Sequence, residues 1–232
     1  MSACGGGGST PAPQAASSSE QPVPASKKST VKIALYGDST MWGTTYKNGT
    51  YSQSPNNPTA ALQTLLQAKY GPGVTVENHA LPGSTAPENL WGQPPASINW
   101  ATAMAQSSAD IVVINLGIND AYAPDEELAD FTYCLGQFVQ IARQYGKTVV
   151  LQTSNPINTD HEAILGQLVA AEKALAAPLS VPLIDDWSVV QANIPNWQAH
   201  TPDNVHPDDG LYQYEATVAI ATLAPLVAQM LQ

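Results

Sequence analysis

One run of six residues, Ile111-Val112-Val113-Ile114-Asn115-Leu116, narrows the folds open to this chain more than any other stretch. It is apolar at almost every position and lacks the alternation of a strand that keeps one face in water. Both of its faces must therefore be covered, as happens inside a parallel sheet with helices on either side. Four further runs carry a strand reading: residues 31–36, 74–78, 148–153 and 181–184. Between them lie helical patterns at 59–70, 98–106, 125–145 and 161–176, and a last one at 211–231 that Pro225 is expected to interrupt. The clearest, 125–145, sets Leu128, Phe131, Cys134, Leu135, Phe138 and Ile141 on one stripe and carries Arg143 near its end, as the helix macrodipole favours. Strands alternating with helices at steps of about 30 residues predict a three-layer α/β/α sandwich around a five-stranded parallel sheet.

The chain has 232 residues, 44% of them hydrophobic, which suffices for one substantial core and leaves little for a second. Residues 1–29 read as a flexible tether of Gly, Ser, Pro, Ala and Gln, whose composition buries too little apolar surface to offset its ordering entropy. The folded domain is expected over 30–232. Within the tail, Ser2-Ala3-Cys4 followed by four glycines resembles the end of a bacterial lipoprotein signal peptide. That resemblance implies an exported protein, periplasmic, extracellular or anchored in the outer membrane by lipid on Cys4, with a natural gene that extends upstream. An ordinary tail cysteine is the other reading. Cys134 sits on the buried stripe of its helix and reads as a small core hydrophobe, so the two cysteines are not expected to pair. No run of about 18 apolar residues marks a membrane span. Eight basic residues stand against 19 acidic ones, giving a net charge of −11, and Arg143 is the sole arginine. Neither a phosphate-binding cluster nor a cationic nucleic-acid face can be built from that set.

Chemistry-bearing residues fall at the ends of the strand-like runs, where open α/β sheets bind ligands. After 31–36 come Gly37, Asp38 and Ser39, which place a hydroxyl at a strand's carboxyl end, although a helix-capping turn has the same composition. After 74–78 comes His79-Ala80-Leu81-Pro82-Gly83-Ser84, a turn whose glycine permits a positive φ. After 111–116 comes Gly117-Ile118-Asn119-Asp120, and before the last helix comes Asp203-Asn204-Val205-His206. A carboxylate three residues ahead of a histidine can fix its tautomer and stabilise its imidazolium, and a capping loop has the same pattern. The histidines elsewhere show no metal-ligand spacing, so no metal is expected. The stretch 42–58 reads as a long loop beside Ser39.

Taken together and in this order, the four blocks resemble the SGNH, or GDSL-like, hydrolase family over essentially residues 30–232. The resemblance implies the flavodoxin-like fold of that family, a serine esterase activity and no cofactor. It implies Ser39 as nucleophile, His206 as base and Asp203 as its orienting acid, with Ser39, Gly83 and Asn119 donating to the oxyanion. Asp38 and Asp120 are expected to tie loops down through the backbone. Thr40 stands where the family usually has leucine, which bears on substrate preference. Trp42, Tyr46 and Asn155 are candidate substrate contacts. A small-molecule or glycan ester with a short acyl group, such as acetyl, is the expected substrate. An acyltransferase, a thioesterase, a lysophospholipase and a non-catalytic carbohydrate-binding lipoprotein are the alternatives on the same scaffold.

Overall fold

The computed structural model describes residues 27–123 and 127–232; Cys4, the tether through residue 26 and residues 125 and 126 of the expected helix 125–145 lie outside the described residues. The chain opens with β1 (Val31–Gly37), the one-turn helix α1 (Ser39–Trp42) and a hairpin of β2 (Thr44–Lys47) and β3 (Thr50–Gln53). There follow α2 (Pro58–Tyr70), β4 (Val74–Asn78), α3 (Ala86–Trp91), α4 (Trp100–Gln106), β5 (Ile111–Asn115) and α5 (Ile118–Tyr122). The second half adds α6 (Leu128–Gln144), β6 (Thr148–Gln152), α7 (Glu162–Ala176), β7 (Leu183–Ile184), α8 (Asp186–Asn193), a 3-10 turn at Trp197–His200 and α9 (Asp209–Leu231).

The main sheet is five-stranded and parallel, in the order β4-β1-β5-β6-β7. This is the flavodoxin-like order, and its winding reverses between β1 and β5. A crevice opens at that switch point, outside the carboxyl ends of the two strands. The continuous apolar character of β5 is explained by its two faces: Val112 and Ile114 enter one core layer, Ile111 and Val113 the other. The first layer packs Trp100 of α4, Phe131, Leu135 and Phe138 of α6 and Leu165 of α7 against the sheet. The second packs Leu62 and Leu66 of α2 with Leu223 and Val227 of α9. Burying each such side chain contributes about 1.5–3 kcal/mol. Cys134 is 2% exposed inside the first layer, as its stripe position predicts.

Three expectations change. Residues 42–58 are not a plain loop: Thr44–Lys47 and Thr50–Gln53 pair antiparallel around Asn48-Gly49, whose φ angles of 52° and 80° are those of a type I′ turn. Helix α9 is not interrupted at Pro225, because the missing N–H costs one hydrogen bond while Leu223, Ala224 and Val227 hold both sides of the proline in the core. The last strand shortens to Leu183–Ile184, since Val181 donates its N–H to the Ala176 carbonyl and so ends α7 instead of pairing with β6. By length and composition α9 could cross a bilayer. Here Leu211, Tyr212, Leu223 and Val227 lie buried against the rest of the protein.

Candidate active site

Strand β1 must run close beside β5 to deliver its end to the switch point. At Gly37 a Cβ would come within 2.3 Å of the Asn115 carbonyl oxygen, so only glycine fits this crossing. Asp38 then caps α1: its Oδ1 accepts the Thr40 N–H and the Thr40 hydroxyl, both at 2.8 Å. Ser39 is the first residue of that turn and stays half-buried, facing the crevice. Burial pushes the Asp38 carboxyl up to about 6, against the pull of the two bonds from Thr40.

The partner of Ser39 comes from 167 residues away. In the loop after the 3-10 turn, Asp203 Oδ1 accepts the backbone N–H groups of Val205 at 3.1 Å and His206 at 2.7 Å. Its Oδ2 lies 2.6 Å from His206 Nδ1, and His206 Nε2 lies 2.8 Å from Ser39 Oγ. Burial works to raise the Asp203 carboxyl, but the donors from His206 and Val205 outweigh it and hold it at about 2. A carboxylate that is charged throughout the neutral range therefore accepts a hydrogen bond from Nδ1–H and keeps the proton on that nitrogen, which leaves Nε2 as the acceptor for the serine hydroxyl. The loop is pinned from the sheet side. Asn155 Nδ2 donates to the Val205 carbonyl at 3.0 Å, and the Asn158 N–H donates to the Asn204 carbonyl at 2.8 Å.

A third segment closes the site. Gly83 has a φ of 82°, the left-handed conformation that the Leu81–Ser84 turn requires. Asp120 Oδ1 accepts the Ala86 N–H at 2.7 Å, which ties α5 to the start of α3. Asn119 Nδ2 donates one hydrogen to the Ser84 carbonyl at 3.0 Å. An amide nitrogen carries two hydrogens, so this bond orients the group and leaves a second donor to offer. Asp38 and Asp120 thus serve the backbone, as the sequence predicts for both.

The three candidate substrate contacts fall in different surroundings. Asn155 is 3% exposed, with Nδ2 spent on the Pro156 and Val205 carbonyls. Trp42 packs against the second core layer. Tyr46 lies on the hairpin with its ring centroid 4.8 Å from that of Tyr51. The residue that sequence reasoning passed over is Tyr51 itself, whose ring meets that of His206 at 5.7 Å. The Asn48-Gly49 pair was the available signal, because a two-residue turn there sets Tyr51 opposite Tyr46. A separate cavity of about 390 Å³, lined by Tyr36, His79, Leu81, Ile98 and Trp100 among others, includes none of Ser39, Gly83, Asn119 and His206.

No curated protein sequence matches the chain. Solved structures do share its fold. A lipase/acylhydrolase from Enterococcus faecalis is 20% identical, with a TM-score of 0.67 over 85% of this chain and 97% of that one. An acetyl xylan esterase from Geobacillus stearothermophilus is 20% identical at a TM-score of 0.67, over 85% of this chain and 96% of its own. A carbohydrate acetylesterase from Sinorhizobium meliloti is 18% identical at a TM-score of 0.68, over 85% of this chain and 100% of its own. The model of the GDSL-like lipase/acylhydrolase family matches residues 35–214, from the end of β1 to the first turns of α9. With that match spanning most of the folded domain, the chain belongs to the GDSL-like lipase/acylhydrolase family and is an SGNH-type ester hydrolase.

Proposed function

We propose that this protein hydrolyses short-chain acyl esters, acetyl esters of carbohydrates foremost, by nucleophilic catalysis at Ser39. The observation that carries the reading is the unbroken hydrogen-bonded series from Ser39 Oγ through the His206 ring to Asp203. His206 Nε2 takes the serine proton as Oγ attacks the ester carbonyl, and Asp203 stabilises the imidazolium that forms. The same proton then passes to the leaving alkoxide. The acyl group stays on Ser39 until a water, deprotonated by His206, releases it as the acid. Charge on the tetrahedral oxygen is met by the N–H groups of Ser39 and Gly83 and by the second Asn119 amide hydrogen.

The short-acyl part of the reading is supported by the polar character of the strand-end segments that carry Ser39, Asn119 and His206. Each methylene of a long chain contributes about 0.8 kcal/mol only where apolar wall receives it. The cavity of about 390 Å³ beside Tyr36 and Trp100 includes neither Ser39 nor His206. The acetyl and carbohydrate preference draws its support from the esterases of similar fold described for acetyl xylan and carbohydrate acetyl groups. Export on a lipid anchor at Cys4 fits an enzyme whose substrate is a polysaccharide.

A p-nitrophenyl ester series from acetate to palmitate tests the reading, with Ser39→Ala as the control. We expect kcat/KM to be highest at acetate or butyrate. Turnover in Ser39→Ala is expected to vanish, with a thermal midpoint close to that of the parent, because one half-buried hydroxyl is lost and no packing. Efficiency rising steadily beyond octanoate would sink the short-acyl reading, and full turnover in the variant would sink the nucleophile assignment.

A further inference from the structure

Among the large side chains that face water, Tyr51 stands over the reacting groups. It is 59% exposed, so core packing does not account for it. Its ring packs on Tyr46 across the hairpin at 4.8 Å and meets the His206 ring edge-to-face at 5.7 Å and 73°. The phenol is raised above its ordinary range, by desolvation first and then by the charge of Asp203. The hairpin that delivers this side chain is anchored to α9: Lys47 and Ser54 both bond to Asp209, and the Tyr212 hydroxyl donates to the Thr44 carbonyl at 2.6 Å.

We propose that Tyr51 is a positioning residue of the hydrolysis, an aromatic wall that keeps the His206 ring aligned with Ser39. The proposal rests on the reading of Ser39, His206 and Asp203 given above. During acyl transfer the imidazole receives a proton from one oxygen and returns it to another, and a ring free to swing about its Nδ1 bond would lose that aim. Asp203 fixes only one end of the ring. The Tyr51 ring, itself backed by Tyr46, closes the open side.

Tyr51→Phe keeps the ring that meets His206 and Tyr51→Ala removes it, while neither touches Ser39, Asp203 or His206 themselves.

The test compares wild type, Tyr51→Phe and Tyr51→Ala on p-nitrophenyl acetate across pH. We expect Tyr51→Ala to lower kcat roughly 10- to 100-fold with KM within about twofold, and Tyr51→Phe, which keeps the ring, to stay within about threefold of wild type. Thermal midpoints should stay within about 2 °C, since the residue is exposed. NMR of the His206 ring reads the same packing without turnover: its ring proton signals should move in Tyr51→Ala and hold in Tyr51→Phe. An unchanged kcat in Tyr51→Ala, or a Tyr51→Phe variant as slow as Tyr51→Ala, would overturn the proposal. A rise in KM alone would overturn it as well, because it would make Tyr51 a substrate contact. If the wild type hydrolyses no ester at any pH, the reading of the site fails, and the ring spectra still decide whether Tyr51 holds His206.

Discussion

Two aspartates in this protein lie at opposite ends of the carboxylate range, and depth alone does not separate them. Asp203, at the mouth of the site, is held at about 2 by N–H donors from Val205 and His206 that outweigh its burial. Asp186, at the start of α8, is pushed up to about 7: burial raises it, and the bond from Gln152 Nε2 at 2.6 Å offsets only part of that. It shares a small cavity of about 10 Å³ with Thr40, Asn115, Gln152, Asn155 and Glu215, a space for one water. No cationic side chain lines that cavity, and burial raises Glu215 well above its usual range too. A buried carboxyl thus keeps its charge where several donors converge on it and holds its proton up toward neutral pH where they do not. In the mechanism proposed above, the charged one orients His206.

The contrast is broken most sharply at Asp203. Asp203→Asn keeps the shape but cannot carry the charge and favours the wrong histidine tautomer, so kcat should fall roughly 10,000-fold. A loss under tenfold on p-nitrophenyl acetate would show that the carboxylate charge is not used. Next in size is Asn119→Ala, which removes a donor aimed at transient rather than resident charge. A kcat lowered roughly 100- to 1,000-fold with little change in KM is expected, and an unaltered kcat would remove Asn119 from the oxyanion donors.

The smallest effect sharpens the comparison from the neutral side. The folded state holds a proton on Asp186 that the unfolded chain releases near pH 4. Stability therefore falls as pH climbs from about 4 to about 7, and stays lowered above that. Asp203 behaves in reverse: its folded value lies below the unfolded one, so its stabilisation is present above about pH 4 and is lost as pH falls toward 2. Asp186→Asn should consequently be neutral near pH 4 and stabilising by about 1–3 kcal/mol at pH 8, with kcat within about threefold of the parent. Denaturant melts at the two pH values check it, and a variant less stable at pH 8 would mean that Asp186 is charged and paired.

The sequence by itself determined the parts whose signals are local. Continuous apolar runs marked the strands, the stripe from Phe131 to Phe138 marked α6, and Gly37, Gly83 and Gly117 marked the strand-end turns. Residue types at those turns pointed to Ser39, Asn119, Asp203 and His206, because helix and strand periods are written in neighbouring residues. The hairpin was also written there, in Asn48-Gly49, yet its use was not: only the packing of β2 and β3 against Asp209 brings Tyr51 over His206.

Tertiary structure alone decided which strands adjoin and which distant groups meet. The switch between β1 and β5 puts Ser39 beside the Asn119 turn, and the loop ahead of α9 sets His206 Nε2 2.8 Å from a hydroxyl 167 residues away. The charge states of Asp203 and Asp186 were settled at the same level. A carboxylate's pKa depends on the donors and solvent around it in space, and those neighbours are set by packing between elements far apart in the chain.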